Sequence, residues 1–411
     1  MLQLRFYVNY ISDFFNECIY NNNSNQSNLI DYIPMKILYC IAGTRHSGGM
    51  ERVLANKANW LVHHGYEVAI VTTDQQGEPP YFPLDERIAC YDLGIGYEEN
   101  NGKSFINKLL HYPIKQHWHK KRLKALLQQI KPDITVSMMC NDVSFLPKMK
   151  DGSKKILEIH FSKFKRLQYG RTGLWRMADR YRNRQEEKQV RRFDRFVVLT
   201  EEDKGYWGDL PNIEVIPNAR TFNPISTATL DTKRVVAVGR YTHQKGFERL
   251  IEAWNKICRQ HPDWHLDIIG DGEERKQLQA LIDGYGIGNS ITLCPPTTDM
   301  DAVYRGASVV AMSSRYEGLP MILLEAQAYG LPIVSFACKC GPADVVTDGI
   351  DGFLVPEGDI EALAQKLATV MEDDALRQRM GEAARKSSER YEEEGVMKKW
   401  ETLFHRLKIK D

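Results

Sequence analysis

At 411 residues the chain is longer than one ordinary hydrophobic core organises, so its length favours two domains. Its 43% hydrophobic and 27% charged residues are those of a globular protein in water, and it has no apolar run of about 18 residues that would span a bilayer as a helix. A formal net charge of only +1 argues against wholesale nucleic-acid binding.

Residues 1–34 carry an Asn/Ser-rich tract, Asn21 to Asn28, followed by no capped, periodic element, and read as an appendage. Met35-Lys36 opens the first convincing strand, Ile37 to Ala42, which makes Met35 a candidate natural start. Apolar strands then alternate with helical patterns. The helix Glu51 to His64 is followed by a strand Glu67 to Thr73, a long basic helix within Phe105 to Lys131, and a strand Ile134 to Met139. Further strands fall at Lys155 to His160, Phe196 to Leu199 and Glu214 to Ile216. Such alternation predicts a parallel sheet covered on both faces. The Pro-, Asn- and Thr-containing stretch Pro217 to Thr232 interrupts it and reads as an interdomain linker. A second series follows, with strands at Arg234 to Gly239, His265 to Gly270, Ile291 to Cys294, Ser308 to Met312, Ile333 to Phe336 and Gly352 to Val355. Its helices include Phe247 to Gln260, Glu273 to Tyr285 and Ile360 to Glu372, and the charged tail Leu376 to Leu407 is helical. The fold class is therefore α/β, with two doubly wound, Rossmann-like domains facing a cleft. Ligands of such sheets bind beyond the carboxyl ends of the strands.

Three glycine-bearing loops lie at such ends. The first, Gly43-Thr-Arg-His-Ser-Gly-Gly-Met-Glu51, puts Gly48 and Gly49 before a helix whose dipole favours an anion, although a plain tight turn uses the same residues. Asp74 ends the second strand where a dinucleotide's ribose would meet an acid, but no G-x-G-x-x-G is present. The second loop, Gly239-Arg240-Tyr-Thr-His-Gln-Lys245-Gly246, joins the planar fork of Arg240 to the point charge of Lys245, a pair suited to a diphosphate. A leaving diphosphate gains negative charge as its bond breaks, so fixed cations there stabilise the transition state more than the ground state.

The third stretch, Ser313 to Gly330, reads as strand, loop and helix. Pro320 opens the helix, and Gly330 with Pro332 ends it. Glu317 stands just before the helix, and Glu325 lies roughly 7 to 8 Å further along the axis at about 1.5 Å per residue. Two carboxylates are thus spaced to touch different parts of one extended ligand, with the Gly318 and Leu319 amides between them at the positive helix end. Glu325 lies in an otherwise apolar turn, where an unpaired charge would be costly. Two acidic motifs are distractors. Asp299-Met-Asp301 is read as N-terminal capping of a short helix, and Gly270-Asp-Gly272 as a turn into the helix from Glu273, so neither implies a metal.

Charge is unevenly placed. Lys163 to Arg195 holds twelve Lys/Arg against four Asp/Glu, and Trp118, Tyr169, Trp175 and Tyr181 lie in or near basic segments. This pattern suits either peripheral contact with anionic lipid headgroups or a solvated helix face. Among the eight cysteines, the only close pair is Cys338 and Cys340, with no metal-ligand spacing around it. In the absence of a secretory signal the thiols are expected to be reduced in a cytosol.

Gly48-Gly49-Met-Glu51, Gly239-Arg240 with Lys245-Gly246, Gly270-Asp271-Gly272 and Glu317-x7-Glu325 together resemble the family 4 retaining glycosyltransferases of the GT-B fold, from Met35 to about Phe404. Ser314-Arg-Tyr-Glu-Gly-Leu-Pro and Cys338-Lys-Cys-Gly341-Pro-Ala-Asp344 are similar to bacterial members that extend lipid-linked or capsular oligosaccharides. The resemblance implies an acceptor-side domain over 35–220, a nucleotide-sugar domain over 233–385 and a C-terminal helix, 386–411, returning to the first domain. It implies that Arg240 and Lys245 grip the diphosphate, Glu325 accepts from the ribose, Glu317 contacts the donor sugar, and Gly318 and Leu319 lie near sugar or phosphate. Gly48, Gly49 and Gly239 shape the binding loops. His160, ending its strand, resembles a family histidine that contacts the donor sugar or acceptor side, with a satisfied core histidine as the other reading. Asn218 resembles the family's interdomain turn, with Ala219 where glycine is usual, and Gly341 to Asp344 resembles the loop that shapes the sugar pocket, or a hinge.

The implied activity is metal-independent, retaining transfer of a hexose or N-acetylhexosamine from a nucleotide sugar, with UDP favoured. No cofactor is implied beyond the donor. The implied acceptor is a saccharide, lipid-linked, at the inner membrane face. With Glu325 on the ribose, no second sugar-facing carboxylate is evident, so same-face displacement assisted by the leaving phosphate is more economical than the paired carboxyls, about 5 to 5.5 Å apart, of retaining glycosidases. A nucleotide-sugar epimerase and an inactive nucleotide-sugar-binding protein are the rival readings.

Overall fold

Strand formation follows from short, fully buried apolar runs. Val309–Met312 and Ile134–Ser137 each bury every residue, as strands covered on both faces must. A computed structural model describes residues 34–100, 105–163 and 174–409. Nearly all of the stretch 1–34, Tyr169, and the side chains of Trp175 and Tyr181 lie outside the described residues.

The first half runs β1 (Lys36–Cys40), α1 (Gly49–His63), β2 (Glu67–Thr72), β3 (Ala89–Asp92), α2 (Phe105–Ile130), β4 (Ile134–Ser137), β5 (Lys154–Glu158), α3 (Leu174–Val190), β6 (Arg195–Val198), α4 (Glu201–Trp207) and β7 (Ile213–Val215). Its strands form a parallel sheet in the order β3-β2-β1-β4-β5-β6-β7. The second half runs β8 (Arg234–Val238), α5 (Phe247–Ile257), β9 (His265–Ile269), α6 (Arg275–Tyr285), β10 (Ile291–Cys294), α7 (Met300–Arg305), β11 (Val309–Met312), α8 (Met321–Ala328), β12 (Ile333–Phe336), α9 (Pro342–Val345), β13 (Gly352–Val355) and α10 (Ile360–Glu372). These strands form a parallel sheet in the order β10-β9-β8-β11-β12-β13.

In each sheet the order reverses at one place. β1 pairs with both β2 and β4, and β8 with both β9 and β11. The loops leaving β1, β4, β8 and β11 therefore flank the crevices where doubly wound sheets take ligands. Two further helices, α11 (Asp374–Ser388) and α12 (Glu393–Lys408), are separated by a short 3-10 turn, Glu389–Tyr391. The last of them packs on the first half: Trp400 is buried under Lys57 Nζ, 3.8 Å from the ring centroid, and Tyr66 donates to Glu401 (3.0 Å). Arg220 ties the connecting segment to this tail through Ser388 (2.6 Å) and Glu392 (2.7 Å).

Several elements differ from the sequence reading. The strand β3 lies at the sheet edge with its residues largely exposed, so it carries no apolar signature. The helix expected from Pro320 begins at Met321, with Pro320 as its N-cap in extended backbone. Thr200 caps α4 by accepting from Asp203 N (3.0 Å), a start the expected element list does not include.

Candidate active site

The stretch after β11 is clasped to the loop after β8. Ser313 Oγ donates to Lys245 O (3.0 Å), Arg315 N to Gln244 O (2.8 Å), and Gln244 Nε2 to Tyr316 O (3.0 Å), while Arg315 pairs with Glu248. Gly246 is needed for this fit: its φ is +62°, and a Cβ there would stand 2.5 Å from Ser313 O. The clasp brings Lys245 Nζ to Glu317 Oε1 at 2.7 Å, with Glu317 8% exposed. Arg240, on the same loop beside Gly239, is exposed and pairs with no acid among the described residues.

Behind Glu317, Gly318 and the buried Leu319 lead into α8. Gly318 meets the other half of the molecule, where a Cβ would be 2.6 Å from the His160 carbonyl oxygen. The His160 ring lies against Glu158. Its side chain is 7% exposed, and Nε2 lies 3.0 Å from Glu158 Oε1, off the line a hydrogen bond needs. Glu158 also accepts from Lys57 Nζ (2.5 Å), so the three form one buried charged cluster. Burial alone would raise the Glu158 pKa, but the charges of Lys57 and His160 outweigh it and hold the carboxyl at about 2. Burial pushes the Lys57 pKa down, opposed by Glu158.

One turn along α8, Glu325 is 6% exposed and well supplied with donors. Tyr304 OH donates to Oε2 (2.7 Å), Thr221 Oγ1 to Oε1 (2.5 Å), and Arg52 of α1 stands 3.5 Å from Oε1. Arg52 also lies over the Phe222 ring, 5.0 Å from its centroid. Asn218, nearby, points Nδ2 at Met321 Sδ (3.5 Å). A second seam joins the halves at α9 and the loop before it: Asp344 accepts from Glu201 N (3.0 Å) and Glu202 from Cys340 N (3.0 Å).

The first glycine loop is more open. Gly49 has free space where a Cβ would go, whereas a Cβ on Gly48 would run into the Glu51 side chain as it stands. Asp74, the acid a dinucleotide would use, is buried, and both its oxygens accept from the protein, from Thr73 Oγ1 (2.6 Å) and Glu98 N (2.8 Å). Asp299 caps α7 through Ala302 N (3.0 Å), and Asp301 accepts from Tyr329 OH (2.7 Å). The structure thus places Glu317, Gly318, Leu319 and Glu325 on one loop and helix, and Gly239, Arg240 and Lys245 on the clasped loop, with Lys245 against Glu317. Sequence reasoning did not single out Arg52, Tyr304, Thr221, Lys57 or Glu158. Only Glu158 carried a local signal, because it shares a strand face with His160 two residues on.

Residues 47–220 match the family model "Glycosyltransferase Family 4", and residues 219–387 match "Glycosyl transferases group 1". An uncharacterized glycosyltransferase of Haemophilus influenzae is 31% identical over 377 residues, 90% of this chain and 99% of that protein. The amylovoran biosynthesis glycosyltransferase AmsD of Erwinia amylovora is 29% identical over 391 residues, with coverage of 90% and 99%. Among solved structures, a mutant of S. aureus TarM in complex with Fondaparinux, alpha-GlcNAc-glycerol and UDP superposes with a TM-score of 0.72 at 18% identity, over 90% of this chain and 99% of that one. At that identity the likeness shows the fold, two Rossmann-like domains in the GT-B arrangement.

Proposed function

Because the chain belongs to the glycosyltransferases, its first half matching family 4 and its second half group 1, we propose that it moves a hexose or N-acetylhexosamine from a UDP-linked donor to a saccharide acceptor in cell-surface glycan synthesis, with retention of configuration. The observation that carries the reading is the Lys245–Glu317 pair at the start of α8, with Arg240 exposed on the same loop and Glu325 further along the helix. In this assignment Arg240 and Lys245 take the diphosphate, Glu317 the donor sugar, and Glu325 the ribose. As the bond from the anomeric carbon to the phosphate oxygen breaks, negative charge grows on the diphosphate beside two cations and the positive end of α8. Positive charge grows on the sugar beside Glu317. Those cations supply the neutralisation that a metal provides in other transferases, which supports a metal-independent reaction. With Glu325 occupied by the ribose, a same-face displacement is favoured over a covalent intermediate.

UDP is supported by the TarM complex, which holds it, and a polysaccharide acceptor by the amylovoran relative. A lipid-linked acceptor and peripheral membrane contact are supported by α2, where Tyr112, Ile114 and Trp118 are exposed beside the exposed Lys120, Lys121, Arg122 and Lys124. No described helix is long and apolar enough to cross a membrane. The test is incubation with a panel of UDP-, GDP- and ADP-sugars, with and without saccharide acceptors and with and without a chelator. The expected outcome is acceptor-dependent release of UDP, unchanged by the chelator, and a product whose anomeric NMR coupling matches the donor's. Epimer formation without acceptor would favour an epimerase, and binding without turnover across the panel would favour a binding protein.

A further inference from the structure

The groups that hold Glu325 come from three separate segments. Tyr304, on α7, is fully buried, with its ring tilted against Tyr329 (centroids 5.2 Å apart) and edge-on to Phe222 (6.4 Å). Tyr329 is itself tied to Asp301 (2.7 Å), so the Tyr304 phenol is boxed in where it donates to Oε2. Burial and then the Glu325 charge hold that phenol far above its ordinary pKa, which keeps it a donor. Thr221, in the connecting segment, takes the other oxygen. An ionised carboxylate has about four acceptor positions; Tyr304 and Thr221 take two of them, and the long Arg52 contact lies at a third. Arg52 at 3.5 Å, with a third of its side chain exposed, is a loose neighbour by comparison.

A glutamate carboxylate rotates in a broad, roughly two-fold torsional well, so an unheld group would present its lone pairs in many directions. Fixing that rotation beforehand removes an ordering cost from ligand binding. We propose that Tyr304 and Thr221 are positioning residues for nucleotide recognition, holding both oxygens of Glu325 in the rotation that offers its remaining lone pairs to the ribose hydroxyls. The proposal rests on the assignment of Glu325 to the ribose.

Calorimetric titration of the full chain with UDP, 2′-deoxy-UDP and 3′-deoxy-UDP tests both steps separately. Wild type should prefer UDP over the weaker deoxy analogue by roughly tenfold or more, the scale of one hydrogen bond to a charged group. Glu325→Ala should abolish that preference. Tyr304→Phe and Thr221→Val should each cut it to within about threefold of unity, with affinity for the deoxy analogue little changed. Tyr304→Phe leaves a buried oxygen without a donor, so Thr221→Val, at a half-buried position, gives the second reading should the first variant not fold. If Glu325→Ala keeps the preference, the ribose assignment fails and the proposal with it. If Glu325→Ala loses it while a folded Tyr304→Phe or Thr221→Val protein keeps the full ratio, the assignment stands and the positioning role is overturned.

Discussion

Two fully buried acids in the first half have different company. Glu158 sits between Lys57 and His160 and stays ionised, whereas Asp142 accepts from Ser137 Oγ (2.6 Å) on one oxygen and has no donor on the other among the described residues. Burial, only partly offset by Ser137, pushes the Asp142 pKa up from 3.8 to about 6. A carboxyl whose folded pKa is raised favours folding below its unfolded value, and that contribution is lost as pH rises through the folded value. Asp142→Asn keeps an acceptor for Ser137 without the charge. It should therefore raise the melting temperature little near pH 4, and increasingly as pH climbs through about 6, by thermal melts against wild type. An advantage that is constant, or larger at pH 4, would contradict this. Residues of this kind were half legible beforehand. The apolar turn around Glu325 announced that its charge needs donors, but Thr221, Tyr304 and Arg52 converge from distant segments and no spacing reveals them. Likewise Lys57 reaches Glu158 across 101 positions of sequence.

Strands made of buried apolar runs were readable, and the exposed edge strand was not. The apolar, β-branched runs at Val309–Met312 and Ile333–Phe336 left little choice but strand, whereas β3 at the sheet edge has neither alternation nor a run. The charged tail was readable as helix, but not its division by the turn at Glu389–Tyr391, which bends the chain between α11 and α12. Helix α2 shows the limit in another way. Its basic sequence fits a solvated face as well as a lipid contact, and what separates the two is that Tyr112, Ile114 and Trp118 stand exposed among the cations, with Lys121 and Arg122 beside the Trp118 ring. If this face meets lipid, Trp118→Glu should weaken co-sedimentation with vesicles containing anionic lipid by about fivefold or more, since a surface charge is worth about 1 kcal/mol there. Equal binding by the variant, or no binding by wild type at low ionic strength, would leave α2 a solvated helix.

At the scale of the whole molecule, the two alternating series announced two parallel sheets, and the switch points beside β1 and β8 place the loops that carry the site. The seams between the halves were not legible, because they are made by backbone atoms and single side chains. Gly318 lies against the His160 carbonyl, Glu201 N donates to Asp344, and Arg52 approaches Glu325. These contacts put the sugar end and the ribose end of the proposed donor site at the junction of the halves, and the proposed reaction assigns the leaving diphosphate to Arg240 and Lys245 there. The most direct test is nucleoside diphosphate release from the best-binding nucleotide sugar in the presence of acceptor, comparing wild type with Lys245→Ala. A fall of roughly 10²- to 10³-fold in kcat, the scale of losing one fixed transition-state donor, is the predicted result. Near-normal turnover by Lys245→Ala would contradict the assignment of the diphosphate to this loop.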